Sequence, residues 1–406
     1  MTRIASALLS LVLAACSSPT SATPDLAVEE DSASPDQQRA PDTKIPKTEA
    51  RAPDLPGCPT LQGKSFTLRQ VDPIGGAPIY PDLEVGPDRR PVVVFTKGTA
   101  TEKYPALSIL DGQAWSAPEV VEKEAGKNLG KRPSLLIGAD GRLHVTSYDE
   151  TDMRPRYATR AAADKTWTVE ALYKTGVDAG DHSSLAAGPD GALHLTFLEY
   201  GTYRLVYGTK GASGWSLDAV QAAGSYVKAS SSSLAIDSGG KVHVVYFTGE
   251  RLDYAVRAAS GWTAEIVDQS SAKMGHYPTL ALDGAGRPQV VYLDWAGEGA
   301  VRFARRTASG WQAETVDQAL GITYTTGQAL LPCGATLIAY ARNEGTGTPG
   351  LLLAVQAPGA TSWTKLSVDA KTYVSGIDLA VDADGRIHLV YLDETNYVLR
   401  HAELAP

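Results

Sequence analysis

Residues 385–406, GRIHLVYLDETNYVLRHAELAP, end the chain on two strand-like runs, RIHLVYLD and YVLRHAEL. Elsewhere such a pair is followed by a further run that opens on tryptophan, as in 262-WTAEIVD-268. Here that run is missing. A copy without an owner stands near the other end: 65-SFTLRQVD-72 matches 261-GWTAEIVD-268 with Phe66 in the tryptophan position. The two ends are therefore expected to complete one sheet between them, which removes an edge that would otherwise template aggregation.

Working outward, the same phrase recurs as 133-PSLLIGADGRLHVTSYDE-150, 183-SSLAAGPDGALHLTFLEY-200, 232-SSLAIDSGGKVHVVYFTG-249, 278-PTLALDGAGRPQVVYLDW-295 and 377-IDLAVDADGRIHLVYLDE-394. Two looser copies are 81-PDLEVGPDRRPVVVFTKG-98 and 328-QALLPCGATLIAYARNE-344. The turn glycines Gly141, Gly191, Gly240, Gly286, Gly334 and Gly385 are 50, 49, 46, 48 and 51 residues apart. Four short strands per period of this length make a propeller blade rather than a helical repeat. The fold expected is all-β: a seven-bladed β-propeller of four-stranded antiparallel blades, the last closed by strand 65–72. Counts of 39 Gly and 18 Tyr beside 5 Phe and 3 Met suit such a turn-rich chain.

The chain opens 1-MTRIASALLSLVLAAC-16, a basic residue followed by an apolar run too short to span a bilayer as a mature helix. Its LAAC ending resembles the lipobox of bacterial lipoproteins. That resemblance implies a signal peptide over 1–15, lipidation at Cys16, and, with Ser17 next, a place in the cell envelope at the outer membrane or cell surface. Residues 16–63 are rich in Ser, Pro, Ala and Asp and read as a tether that cannot bury a core. The propeller is expected over 64–406. A net charge of −9 argues against nucleic acid and against a basic membrane patch, leaving the lipid as the contact with membrane.

The repeats over 65–406 resemble those of secreted bacterial sialidase-like seven-bladed propellers. They depart from the family's S-x-D-x-G-x-x-W box, since ASGW lacks the Asp, and no F-R-I-P-like segment is present.

A repeat is its own control. His144, His194, His243 and His388 share one second-strand position, and Trp115, Trp167, Trp215, Trp262, Trp311 and Trp363 share one outer-strand position, so both sets read as scaffold. Residues that do not repeat are the candidates for binding. Second strands exit onto one face at Asp149, Asp294 and Asp393, among other acids, either as turn acceptors or as an acidic rim. Trp295 beside Asp294 suits stacking on a sugar. His182, His276, Tyr277 and Arg132 precede inner strands, and Tyr80, Tyr226, Tyr324 and Tyr373 occupy comparable loops. His, Tyr and Arg at one funnel have the chemistry for β-elimination on a uronic acid. No spacing indicates a metal or cofactor.

Cys58 lies just before the closing strand and Cys333 in a tight turn of the neighbouring blade, on the same face. They are expected to form a disulfide. The reading that results is a monomeric, surface-anchored binding module for extracellular carbohydrate or a cell-surface protein. A glycan-active lyase or sialidase-like glycosidase, or an envelope protein scaffold, are the alternatives.

Overall fold

The computed structural model describes residues 57–73, 80–173, 176–220, 231–271, 273–297, 299–318, 325–342, 349–370 and 372–405; Cys16, Tyr226 and Tyr324 lie outside them. These residues form seven antiparallel sheets in a ring, with no helix among them. Counted from the inner strand, blades 1 to 6 begin at Asp82–Val85, Lys131–Ile137, Ser184–Ala187, Ser232–Ile236, Met274–Leu282 and Thr326–Leu330. Blade 7 runs Val374–Val381, Ile387–Asp393 and Val398–Leu404, and its outer strand is Thr67–Pro73 from the other end of the chain. Thr67 stands opposite Glu403 and Pro73 opposite Val398, with a bulge between Gln70 and Asp72. Phe66 packs against the core of the same seam.

Second strands are apolar on both faces because a neighbouring blade covers each side; Ile387–Asp393 is buried throughout. Outer strands are mostly exposed, as Gly261–Asp268 is until its last two residues, which are buried. The core is divided accordingly, one apolar cluster to each of the seven seams.

Two polar devices repeat. Three of the four scaffold histidines meet a tyrosine hydroxyl on the third strand of their own blade: His144–Tyr157 at 2.7 Å, His194–Tyr207 at 2.6 Å and His243–Tyr254 at 2.5 Å. That tyrosine is met edge-on by the tryptophan of the next blade, Tyr157–Trp215 at 5.3 Å and Tyr207–Trp262 at 5.1 Å between centroids. Second, the carboxylate ending one outer strand accepts from the next blade's second-strand tyrosine, as Asp317 does from Tyr340 at 2.9 Å and Asp369 from Tyr391 at 2.6 Å. At the closing seam Lys97 supplies the donor to Asp72.

The outer strand of blade 1 departs from the expectation. It is split into Ala114–Trp115 and Glu119–Val120. Pro118 lies in the gap and has no N–H to give to the ladder.

Cys58 and Cys333 are disulfide-bonded across a Cα separation of 5.2 Å. With Leu61, which joins the core of the blade 6–7 seam, the bridge fastens the N-terminal arm beside the closing blade.

Candidate functional site

Inner strands converge at the axis and are too splayed to pair, so their backbone amides must find other acceptors. Side chains one residue earlier on the adjacent inner strand supply them. Leu83 N–H donates to Asp378 at 2.6 Å, Leu135 N–H to Asp82 at 2.7 Å, Leu234 N–H to Ser184 at 3.2 Å and Leu280 N–H to Ser233 at 3.0 Å. Above this collar a cavity of about 1000 Å³ opens on the long-loop face.

The cavity wall is set by residues at or just before the inner strands' irregular first turns, bulged between Lys131 and Ser134 and between His276 and Thr279. Tyr80, Arg132, His182 and Tyr277 line it, together with Tyr373 and Tyr397 of blade 7. Arg132, His182 and Tyr277 carry positive φ of 45°, 54° and 48°, in the position that Gly376 fills with φ 55° in blade 7. A side chain in this conformation costs roughly 1–2 kcal/mol per residue. With Tyr397 at φ 53°, four such residues line one cavity and mark a site of stored strain.

The Arg132 guanidinium lies 4.7 Å from the Tyr80 ring centroid and donates to Asp181 at 2.7 Å. Lys131 Nζ is 3.1 Å from the same carboxylate, and Tyr200 donates to it at 3.3 Å. Burial would raise Asp181, but His182, Arg132 and Lys131 outweigh it and hold the carboxyl down at about 2. Burial likewise drives His182 down to about 3, so its ring is neutral at ordinary pH. The His182 and Tyr277 rings are 6.0 Å apart, and Tyr277 N–H is held by Ser231 Oγ at 3.0 Å.

Across the cavity Asp82 and Asp378 are hydrogen-bonded to one another, and both are raised, by burial above all. A pair so placed shares a proton. Two residues along the same strand, Glu84 is pushed up to about 8 by burial and by Asp82. Among the described residues no group of three His, Cys, Asp or Glu side chains is arranged to hold a metal ion.

Of the residues singled out in the sequence, Arg132, His182 and Tyr277 come together here, joined by Tyr80 and Tyr373. Others are not among the residues that line the cavity, and the carboxylates follow the turn-acceptor alternative. Asp149 is wholly buried and accepts from Thr151 N–H and Asp152 N–H in its own turn, and Asp393 does the same for Asn396 while pairing with Arg400 at 2.7 Å. Asp294 accepts from Ser271 and Ala296 N–H. Trp295 is half-buried and stacked on His276 at 3.8 Å, which occupies the face a sugar would need. His276 in turn abuts Phe247 and is held down at about 4, chiefly by burial. Tyr397 went unread in the sequence because it sits in a strand two-to-three loop; it is 66% exposed.

No family model matches the chain, and no curated protein matches it. Solved structures do. An ulvan lyase, described as a new family of polysaccharide lyase and bound to -[GlcA(1-4)Rha3S]-, aligns with TM-score 0.55 and 11% identity over 83% of this chain and 94% of that one. An α-L-arabinanase of Penicillium chrysogenum complexed with arabinobiose aligns with TM-score 0.52 and 14% identity over 84% and 97%. AofleA from Arthrobotrys oligospora aligns with TM-score 0.51 and 11% identity over 75% and 90%. At these identities the likeness is one of fold.

Proposed function

We propose that the chain is an envelope lipoprotein whose funnel binds extracellular carbohydrate. The observation carrying this reading is the cavity wall, where Arg132 stacked on Tyr80 stands among Tyr277, Tyr373 and Tyr397. Aromatic faces cover the C–H side of a sugar ring, while the serines and carboxyls of the collar offer partners to hydroxyls. Two proteins of similar fold were crystallised with a bound saccharide, which supports the same reading.

A glycan array probed with the purified chain and its Tyr397→Ala variant tests it. Binding lost in the variant supports the proposal; silence across neutral and acidic glycans favours a protein partner instead. The signal over 1–15, lipidation at Cys16 and a tether over 16–63 belong to the same proposal. Release of a Cys16→Ser variant from the membrane fraction tests the anchor.

One grouping favours a second reading, a lyase acting on an acidic glycan: the His182 ring lies beside Tyr277 and Arg132, so that a phenol hydroxyl and a guanidinium stand at one wall of the cavity. An unsaturated, ultraviolet-absorbing product from uronate polysaccharides tests that activity.

A further inference from the structure

We infer that the tight-turn face carries a second ligand site, in the seam between blades 1 and 2, which takes a small planar ring bearing one N–H or O–H donor. The repeat itself supplies the argument. In blades 2, 3 and 4 a histidine on the second strand and a tyrosine on the third fill the space under the turn. The histidine's other nitrogen points at the turn, where His243 Nε2 lies 3.3 Å from Asp237.

Blade 1 has neither ring. Val92 stands opposite Ile109 where His144 stands opposite Thr159, and Leu107 stands opposite Val94 where Tyr157 stands opposite Thr146. A cavity of about 420 Å³ opens there, walled by Val92, Ile109, Ile137 and Leu143. Blade 6 lacks the rings as well, with Leu337 and Leu353 in their positions, but there the chain adds Leu61 from its N-terminal arm to the same cluster. Among the described residues no apolar side chain from outside blades 1 and 2 joins the corresponding cluster, and the buried Arg160 adds a charged wall to the space.

A polar handle remains at the blade 1 cavity. Asp88, on its rim, aligns with Asp140, the acid that acts on His144. With no histidine to face, Asp88 takes Arg90 at 2.7 Å. A ring seated on the four apolar side chains with its donor toward Asp88 would restore what the other blades build covalently. The volume falls in the range of small-molecule sites.

Thermal melting of the purified chain with phenol, and with benzene as the ring lacking a donor, tests this. The expected result is a melting temperature that climbs by about 2 °C once phenol reaches tenfold over its Kd. Benzene should produce a smaller rise. Val92→His, which restores the repeat's own ring, and Ile109→Phe, which fills the space from the third strand, should each abolish the rise. The two variants approach from different strands, so one that fails to fold leaves the other as the control. No rise in the wild type, an equal rise with benzene, or a rise that survives in a folded variant would overturn the inference.

Discussion

Arg69 Nη1 donates to Glu403 Oε2 at 2.8 Å, joining the first strand of the propeller to the last across 334 residues. The pair is the polar side of a seam whose apolar side is Val71, buried with Val93, Val390 and Leu399. The apolar side is expected to dominate. Val71→Asp would bury a charge without a partner and cost more than ~2 kcal/mol, whereas Arg69→Ala should cost about 1 kcal/mol or less. Urea denaturation midpoints would separate them; equal losses would mean that the closing strand is held mainly by its charges.

The disulfide closes a loop of 275 residues. Replacing both Cys58 and Cys333 with Ala should destabilise the chain by roughly 2–4 kcal/mol and abolish any response to reductant. Denaturation with and without dithiothreitol would measure both. A wild-type curve indifferent to reductant would contradict the expectation.

The stacked Trp295 and the exposed Tyr397 can be told apart by mutation. Trp295→Ala removes a ring stacked on His276 and should lower stability while leaving glycan binding nearly intact in the folded fraction. Tyr397→Ala removes an exposed ring and should do the reverse, weakening binding about tenfold, or ~1.4 kcal/mol, at unchanged melting temperature. Isothermal titration beside calorimetric melting would report on both.

Acid should weaken the closing blade through His401, which replaces the usual third-strand tyrosine and lies 3.2 Å from His388. Burial first, then His388 and Arg69, hold His401 down at about 3 against an ordinary 6.5. Between these values the unfolded chain binds a proton that the folded chain refuses, so stability falls as pH drops from 6.5 toward 3. His401→Tyr restores the repeat's own pair and should flatten that part of the profile. An unchanged slope would locate the acid sensitivity elsewhere.

Glu84 works in the opposite sense. Its carboxyl is raised from 4.5 to about 8, so the folded chain holds a proton that the unfolded one releases, and stability falls as pH climbs through that window. Glu84→Gln should remove this alkaline loss, measured as denaturation midpoints from pH 5 to 9. A loss that persists in the variant would acquit Glu84.

The sequence disclosed the ring because its signals are periodic: a turn glycine and a tryptophan return in six blades and a histidine in four, and Phe66 could be matched to an empty place. Tyr157, Tyr207 and Tyr254, which bond those histidines, were readable by the same comparison but were overlooked. The site was half legible. Arg132, His182 and Tyr277 were found because they break the repeat at the irregular starts of inner strands. Asp149 and Asp393 were open to two readings because a turn needs acceptors for its own amides as much as a ligand would need them for hydroxyls. Tyr397 gave no sign, since exposure at a loop tip depends on how neighbouring loops lean.

The seventh blade is made of the first strand and the last three. During synthesis Thr67–Pro73 leaves the ribosome long before Val398–Leu404 exists, so it must wait, unpaired, for nearly the whole of translation. Nascent chains that stall before that point keep a bare strand edge for chaperones and proteases to find. Burial of Thr67–Pro73 therefore waits on the arrival of Val398–Leu404, and one sheet couples two regions of the chain that are made far apart in time.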